Sequence, residues 1–152
     1  MKRILLADLH RTLFETEARA AFPRECCGLI VGRRDQTTFH VERLHPTRNL
    51  ASEADRFEID PAEHLRLLRT LRADRQFVLG CYHSHPNGNA KPSRRDLEGA
   101  AEAGFVWLIG ALSSETGRVS LAGFEYCGGA FAPLLVECER AIASVGGTSA
   151  SQ

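Results

Sequence analysis

The chain has 152 residues, of which 43% are hydrophobic and 25% charged, a composition typical of one globular domain. Its 19 basic and 19 acidic side chains give a formal net charge of zero, which argues against a protein that binds nucleic acid or an anionic membrane surface. No apolar run approaches the roughly 18 residues that a membrane-spanning helix needs. The apolar stretch at the N-terminus is too short for a signal peptide, which argues against one. Five cysteines without a Cys-x-x-Cys pair indicate reduced thiols. We therefore expect a cytoplasmic protein.

The N-terminal segment predicts a strand followed by a helix. The strand covers residues 2–7, and Asp8 caps a helix that runs to about Phe22. Pro23 then breaks the chain. The buried positions expected in this helix include Leu9, Leu13, Ala20 and Ala21.

A hairpin and a second helix are predicted in the middle of the chain. The hairpin strands cover 27–31 and 37–44. After a polar connection, Asp60 followed by Pro61 and Glu63 is a strong helix start. We expect one side of this helix to be buried, at Leu65, Leu68 and Leu71. Four arginines recur every three residues and favour a solvated face over a basic binding stripe: Arg66, Arg69, Arg72 and Arg75.

The second half of the chain predicts further strands around one helix. A continuous apolar strand at 77–82 leads into a loop at 83–92, and a helix follows from Ser93 to about Ala103. The most apolar strand, 105–112, is expected to be central and to pair with 119–126 across a turn.

The last predicted element, at 131–138, is either a strand or the start of a short helix. Residues 141–152 are rich in Gly and Ser and are expected to form a flexible tail. Hairpins combined with crossover helices indicate an α/β fold with a mixed sheet, in a single domain over residues 1–140.

Two histidines and an aspartate have the spacing of metal ligands. His83 and His85 lie two residues apart at the end of a strand, so extended backbone directs both rings to one side. Pro86 and the turn after it let the chain double back, so that Asp96, in the first turn of a helix, approaches the same point. Two imidazoles and one carboxylate suit tetrahedral Zn²⁺ and leave the fourth position open for water. Because bound zinc lowers the pKa of that water towards 7 and polarises a carbonyl, the pattern predicts a hydrolytic site.

Two more residues are candidates for proton transfer and oxyanion stabilisation. Glu25 precedes a strand and could lie at the sheet edge beside the metal, where it would take a proton from water and pass it to a leaving amine. Ser93 could donate its hydroxyl to the oxyanion. The Ser93-x-x-Asp96 spacing also predicts a plain helix cap, and both interpretations are compatible. Cys81, on the strand face of the histidines, is an alternative fourth ligand that would make the site structural, although the spacing favours a place deeper in the core.

Taken together, these residues resemble the signature of the JAMM (MPN+, JAB domain) zinc metalloprotease family. The matching elements are Glu25, then His83-Ser84-His85-Pro86, then Ser93 after seven intervening residues and Asp96 after two more. Three further segments resemble bacterial members: Pro23–Gly28, Asn49 and Phe57–Pro61. The resemblance covers roughly residues 4–130, and the size of the chain is similar to that of stand-alone bacterial members.

This resemblance implies a curved mixed β-sheet flanked by helices, similar to the fold of cytidine deaminases. It implies that His83, His85 and Asp96 bind one Zn²⁺ per chain, that Glu25 acts as general base and then acid, and that Ser93 stabilises the tetrahedral intermediate. The implied reaction is hydrolysis, by zinc-activated water, of the peptide or isopeptide bond after the C-terminal Gly-Gly of a ubiquitin-like or sulfur-carrier β-grasp protein.

Two other functions stay open at this point. The first is a non-catalytic scaffold of the same fold, against which the complete set of ligand residues argues. The second is a zinc hydrolase of a small-molecule amide. Nucleobase deamination is disfavoured, because those zinc enzymes need a Pro-Cys-x-x-Cys pattern beside their His-x-Glu, and the sequence has no Pro-Cys-x-x-Cys.

Overall fold

Seven strands and three α-helices make up most of residues 1–140, the part of the chain that our computed structural model describes. The strands are β1 (Arg3–Ala7), β2 (Cys27–Arg34), β3 (Thr38–Thr47), β4 (Phe77–His85), β5 (Val106–Leu112), β6 (Val119–Tyr126) and β7 (Phe131–Glu139). The helices are α1 (Asp8–Ala21), α2 (Pro61–Leu71) and α3 (Arg94–Gly99), and a 3₁₀ turn covers Arg72–Asp74. The expected tail at 141–152 lies outside the described residues.

The strands form one mixed sheet that closes on itself, in the order β1-β3-β2-β4-β5-β6-β7. β1 pairs in parallel with both β3 and β7, and β4 pairs in parallel with β5. The other neighbouring strands are antiparallel. The predicted α/β fold with a mixed sheet and flanking helices is therefore confirmed. The similarity to cytidine deaminases stays a prediction.

Two hydrophobic clusters place the helices against the sheet. Phe14 and Ala18 of α1 belong to a cluster with apolar side chains of all seven strands. Leu67 and Leu71 of α2 belong to a second cluster, which surrounds Trp107 of β5. All seven residues of β5 are buried, as expected of a central strand. Burial of each large apolar side chain stabilises the fold by about 1.5–3 kcal/mol, so these contacts hold α1 and α2 in place.

The buried sides of α1 and α2 differ from the predicted ones. Leu71 is buried as expected and Ala21 is partly buried, but the other predicted positions are exposed: Leu9, Leu13, Ala20, Leu65 and Leu68. Phe14, Ala18 and Leu67 are buried instead. The prediction was wrong because both helices carry apolar residues on more than one side, and only the contact with the sheet decides which side is covered. The four arginines predicted to be solvated, Arg66, Arg69, Arg72 and Arg75, are all exposed.

Element boundaries differ most around the histidines and α3. β4 continues to His85, so both histidines belong to the strand rather than to the loop predicted at 83–92. The strand continues because it pairs with β5 as far as Ala111. α3 ends at Gly99 rather than near Ala103. It buries no apolar side chain that would stabilise further turns.

The remaining elements agree with the sequence apart from small shifts. The two hairpin strands end three residues later than predicted, at Arg34 and Thr47. Asp8 is the first residue of α1, and Ala7 is its N-cap. The segment after 131 is a strand, the first of the two predicted alternatives. None of the described helices is long and apolar enough to cross a membrane.

Candidate metal centre and active site

Three side chains converge on one buried point at the end of β4. The Nε2 atoms of His83 and His85 lie 3.0 Å apart, and each is 3.1 Å from a different carboxylate oxygen of Asp96. The three potential ligand atoms all lie within 4.8 Å of one another. All three residues are buried, with exposures of 0%, 5% and 5%. Asp96 therefore lies beside the histidine pair, as predicted.

Local structure explains why these side chains meet. His83 and His85 face the same way because alternate residues of a strand share a face. Asp96 stands in the first turn of α3, where Ser93 is the N-cap. The Ser93 Oγ accepts a hydrogen bond from the Asp96 N–H (3.0 Å), and the Asp96 carboxylate accepts one from the Ser93 N–H (2.8 Å). The predicted cap is therefore confirmed, and it holds the carboxylate towards the histidines.

The turn between β4 and α3 orients one of the imidazoles. Gly88 has a φ of +79°, which glycine adopts without strain, and its N–H donates to the His85 carbonyl (3.2 Å). The Asn89 carbonyl lies 2.7 Å from His85 Nδ1. Since a carbonyl oxygen only accepts, Nδ1 carries the hydrogen and Nε2 keeps its lone pair free for a metal.

The His83 ring is held by aromatic side chains. Phe57, from the segment before α2, stacks on it with ring centroids 4.3 Å apart and an interplanar angle of 22°. Trp107 meets the same ring edge-on at 5.7 Å. A role of Phe57 at the site was not predicted from the sequence. The one feature that could have indicated it is the resemblance of the Phe57–Pro61 stretch to bacterial family members.

The charges of the three converging residues fit a metal ion. Burial lowers the pKa of His83, which favours its neutral form. Burial also lowers the pKa of His85, but the adjacent Asp96 carboxylate and the hydrogen bond to Asn89 outweigh it and raise the value. Although burial raises the pKa of Asp96, the two adjacent imidazoles hold it well below its usual range, so this carboxylate is ionised. Imidazoles and a carboxylate are zinc ligands, and a cation between their lone pairs would relieve the repulsion among them.

Glu25 and Ser93 line a cleft of about 400 Å³ together with His85. Glu25 is 5% exposed, and its Oε1 has no hydrogen-bond partner among the described residues. Burial raises the pKa of Glu25 to about 7, against the attraction of His85. A carboxyl group that titrates near neutral pH can take up and release a proton within one catalytic cycle.

A larger cleft of about 910 Å³ is lined in part by Asp96. Its lining includes Phe57 and Trp107, and Arg94 and Arg95 line both clefts. The two clefts therefore meet at the start of α3, beside the converging ligand atoms.

Cys81 does not join the candidate metal ligands. Among the described residues, the converging group consists of two histidines and one aspartate. Cys81 belongs to the second hydrophobic cluster, with Leu29 and Val31, as its strand spacing favoured. Burial raises the pKa of its thiol, which keeps the thiol protonated.

Comparisons with known proteins identify the family. A family model described as prokaryotic homologs of the JAB domain matches residues 8–122. The desampylase of Haloferax volcanii is 36% identical over 118 residues, which cover 77% of this chain and 80% of the relative. The probable TtuB-protein conjugate cleaving protease of Thermus thermophilus is 39% identical over 79 residues, about half of each chain (51% and 50%).

A solved structure supports the same assignment. The solution structure of protein DSY2949 from Desulfitobacterium hafniense superimposes with a TM-score of 0.81 at 31% identity, covering 90% of this chain and 93% of that one. The family match spans well over half of the chain and includes the candidate metal centre. The chain therefore belongs to the prokaryotic JAB-domain family of JAMM-type hydrolases.

Proposed function

We propose that the protein is a zinc-dependent peptidase or isopeptidase. It hydrolyses the bond that follows the C-terminal Gly-Gly of a ubiquitin-like or sulfur-carrier β-grasp protein. The observation that carries this proposal is the convergence of three buried ligand atoms within 4.8 Å, next to a cleft lined by the buried Glu25. In this proposal residues 1–140 are one catalytic domain.

His83, His85 and Asp96 hold one zinc ion in this proposal. When bound, zinc supplies a Lewis acid that polarises the substrate carbonyl and lowers the pKa of a coordinated water. The hydrogen bond from His85 to the Asn89 carbonyl and the cap at Ser93 keep the ligand atoms oriented.

Glu25 transfers the proton in the proposed reaction. As a water oxygen attacks the carbonyl carbon, Glu25 takes a proton from that water. When the C–N bond breaks, Glu25 returns the proton to the leaving amine nitrogen, so it ends the cycle ionised. Its burial supports this role, because a carboxylate shielded from solvent has a raised pKa and is a stronger base.

Ser93 stabilises the oxyanion in the proposed reaction. Its Oγ accepts the N–H of Asp96, and an acceptor bond leaves the hydroxyl hydrogen free to donate. The side chain lines the same cleft as Glu25, where a substrate carbonyl would lie. The cap and the oxyanion role are therefore compatible in one residue.

The names of two relatives support the substrate class. One is a desampylase, and the other is described as cleaving TtuB-protein conjugates. A Gly-Gly tail suits a site that lies deep in a cleft, because neither residue has a side chain that would prevent close approach of the backbone. The proposed substrate is therefore a small protein with an extended Gly-Gly end.

The test compares the wild type with Glu25→Gln. Both proteins are purified without chelator, zinc per chain is measured by elemental mass spectrometry, and cleavage is measured on β-grasp proteins whose Gly-Gly end is joined to a reporter peptide or to a lysine Nζ. We expect about one zinc ion in each protein, as for a mononuclear site. We also expect turnover in the wild type, and in Glu25→Gln only a residual rate that is measurable with excess enzyme. Glu115→Gln, at an exposed position in the β5–β6 turn, is the matched control and should behave as the wild type.

Two results would contradict the proposal. Normal cleavage by Glu25→Gln would remove Glu25 from the reaction. A wild-type protein that holds no zinc after reconstitution and cleaves neither substrate would favour the non-catalytic scaffold.

A further inference from the structure

Asn49, between β3 and α2, uses every hydrogen-bonding group of its side-chain amide. Its Nδ2 donates to the main-chain oxygens of Glu25 and Arg56, both at 3.0 Å. Its Oδ1 accepts from the main-chain N–H groups of Ala51 (2.9 Å) and Glu58 (3.0 Å). A carboxamide offers two donor hydrogens and two acceptor lone pairs, so nothing of this group is left for other partners.

One of these bonds reaches the segment that carries Glu25. This segment, between α1 and β2, belongs to neither element. The Glu25 Oε1 has no hydrogen-bond partner among the described residues, so the main chain largely determines where this carboxylate points. On one side the next residue, Cys26, exchanges two hydrogen bonds with Ser84 of β4, at 2.8 and 3.1 Å. On the other side the main-chain oxygen of Glu25 is held by Asn49.

The other bonds reach the residues on either side of Phe57. Arg56 gives its carbonyl oxygen and Glu58 its N–H to the Asn49 amide. Phe57, between them, stacks on His83. One side chain thus joins the backbone of Glu25 to the backbone of the residue that supports a candidate metal ligand.

We infer that Asn49 is a positioning residue that sets Glu25 relative to His83 and its partners. This inference rests on the proposed function, because it assumes that Glu25 transfers the proton. Other side chains cannot replace the amide: aspartate has the same shape but no donor, and glutamine is one methylene longer. A misplacement of about 1 Å can cost about 100-fold in rate, so these four bonds matter for catalysis beyond their effect on stability.

The test uses Asn49→Asp and Asn49→Ala. Asn49→Asp keeps the two acceptor bonds and loses the two donor bonds, including the bond to Glu25. In both variants we expect kcat to fall by up to about 100-fold, with KM and zinc content unchanged. In the Glu25→Gln background, Asn49→Asp should leave the residual rate, measured with excess enzyme, unaltered. If Asn49→Asp also lowers the residual rate of the Glu25→Gln protein, the inference is overturned.

A second measurement needs neither metal nor turnover. In the metal-free protein, we expect amide hydrogen exchange at Cys26 to be faster in both variants than in the wild type. Exchange at Glu58 should be faster in Asn49→Ala only, because Asn49→Asp keeps the oxygen that accepts this N–H. Unchanged exchange at Cys26 would overturn the inference. If the wild type neither binds zinc nor cleaves a Gly-Gly substrate, the proposed function fails, whereas the exchange result still decides whether Asn49 holds this segment.

The control for general destabilisation is Asp35→Ala. Asp35 lies beyond the opposite end of β2, and its Oδ1 accepts from the N–H groups of Thr37 and Thr38, both at 2.9 Å. Its loss should lower the Tm and leave kcat unchanged. If kcat falls as much in Asp35→Ala as in the Asn49 variants, the loss reflects stability alone and Asn49 is not a positioning residue.

Discussion

An aspartate side chain takes part in the N-terminal cap of both α2 and α3, in different surroundings: Asp60 at α2 and Asp96 at α3. At α2, the Asp60 carboxylate accepts the main-chain N–H of Ala62 at 2.9 Å. Among the described residues, it is not part of the group of candidate metal ligands. At α3, the Asp96 carboxylate accepts the Ser93 N–H and also faces His83 and His85. Capping alone leaves a carboxylate near solvent, so its burial between two imidazoles indicates a second role.

The two helices also differ in what holds them. α2 has 11 residues and buries Leu67 and Leu71 against the sheet. α3 has six residues, and Asp96 is its one buried residue. Apolar burial therefore stabilises α2, whereas α3 depends on its cap and on the contacts of Asp96. A cap pattern therefore predicts where a helix begins, and burial of the capping residues indicates whether they also belong to a site.

Asp96→Ala should have the largest effect. It removes one of the three converging candidate ligands and leaves two imidazoles facing each other at 3.0 Å. We expect zinc per chain to fall far below that of the wild type and turnover to become undetectable, as measured by elemental mass spectrometry and by cleavage of a Gly-Gly substrate. Unchanged zinc content would mean that Asp96 is only a cap, like Asp60.

Ser93→Ala should lower kcat by about 10²–10³-fold, the usual cost of removing one oxyanion donor. It should also lower the free energy of unfolding by about 1 kcal/mol, because the cap is lost. Steady-state kinetics and denaturant unfolding separate the two effects. Ser93→Thr keeps a hydroxyl and should retain the cap and much of the rate. If Ser93→Ala has the same kcat as the wild type, Ser93 is only a helix cap.

Leu71→Ala should lower the free energy of unfolding by about 2 kcal/mol, at the low end for a buried leucine, because its place at the end of α2 lets neighbours relax. Zinc content should not change, since this residue belongs to the part of α2 that packs on the sheet. Leu68→Ala, at an exposed position of the same helix, is the matched control and should change stability by less than about 0.5 kcal/mol. Equal effects of both substitutions, measured by denaturant unfolding, would contradict the observed burial.

Asp60→Ala should have the smallest effect, a loss of about 1 kcal/mol in unfolding free energy with zinc content and kcat unchanged. The reason is that its carboxylate caps α2 without reaching the candidate ligands. A fall in kcat as large as that of Ser93→Ala would show that the two caps do not differ in the way described.

Much of the fold follows from local patterns. The order of strands and helices, the starts of α2 and α3, and the two-residue spacing of the histidines depend on neighbours within a few residues along the chain. The sides of α1 and α2 could not be predicted, since Leu9 and Leu13 are as apolar as the buried Phe14. Closure of the sheet could not be predicted either, because β1 pairs with β7 across more than 120 residues of chain.

The candidate site divides in the same way. The residue types that stand at ligand spacing were predictable from the sequence alone, because His83, His85 and Asp96 lie within one strand, turn and helix start. Three features could be seen only in the folded chain: Glu25 lines the cleft of His85, Phe57 covers His83, and Asn49 joins the backbones on which both depend. These contacts depend on tertiary structure because Asn49 lies 24 residues from Glu25, and Ser84, between the two histidines, lies 58 residues from Cys26. The approach of such distant segments depends on the pairing of β2 with β4 and not on any local pattern.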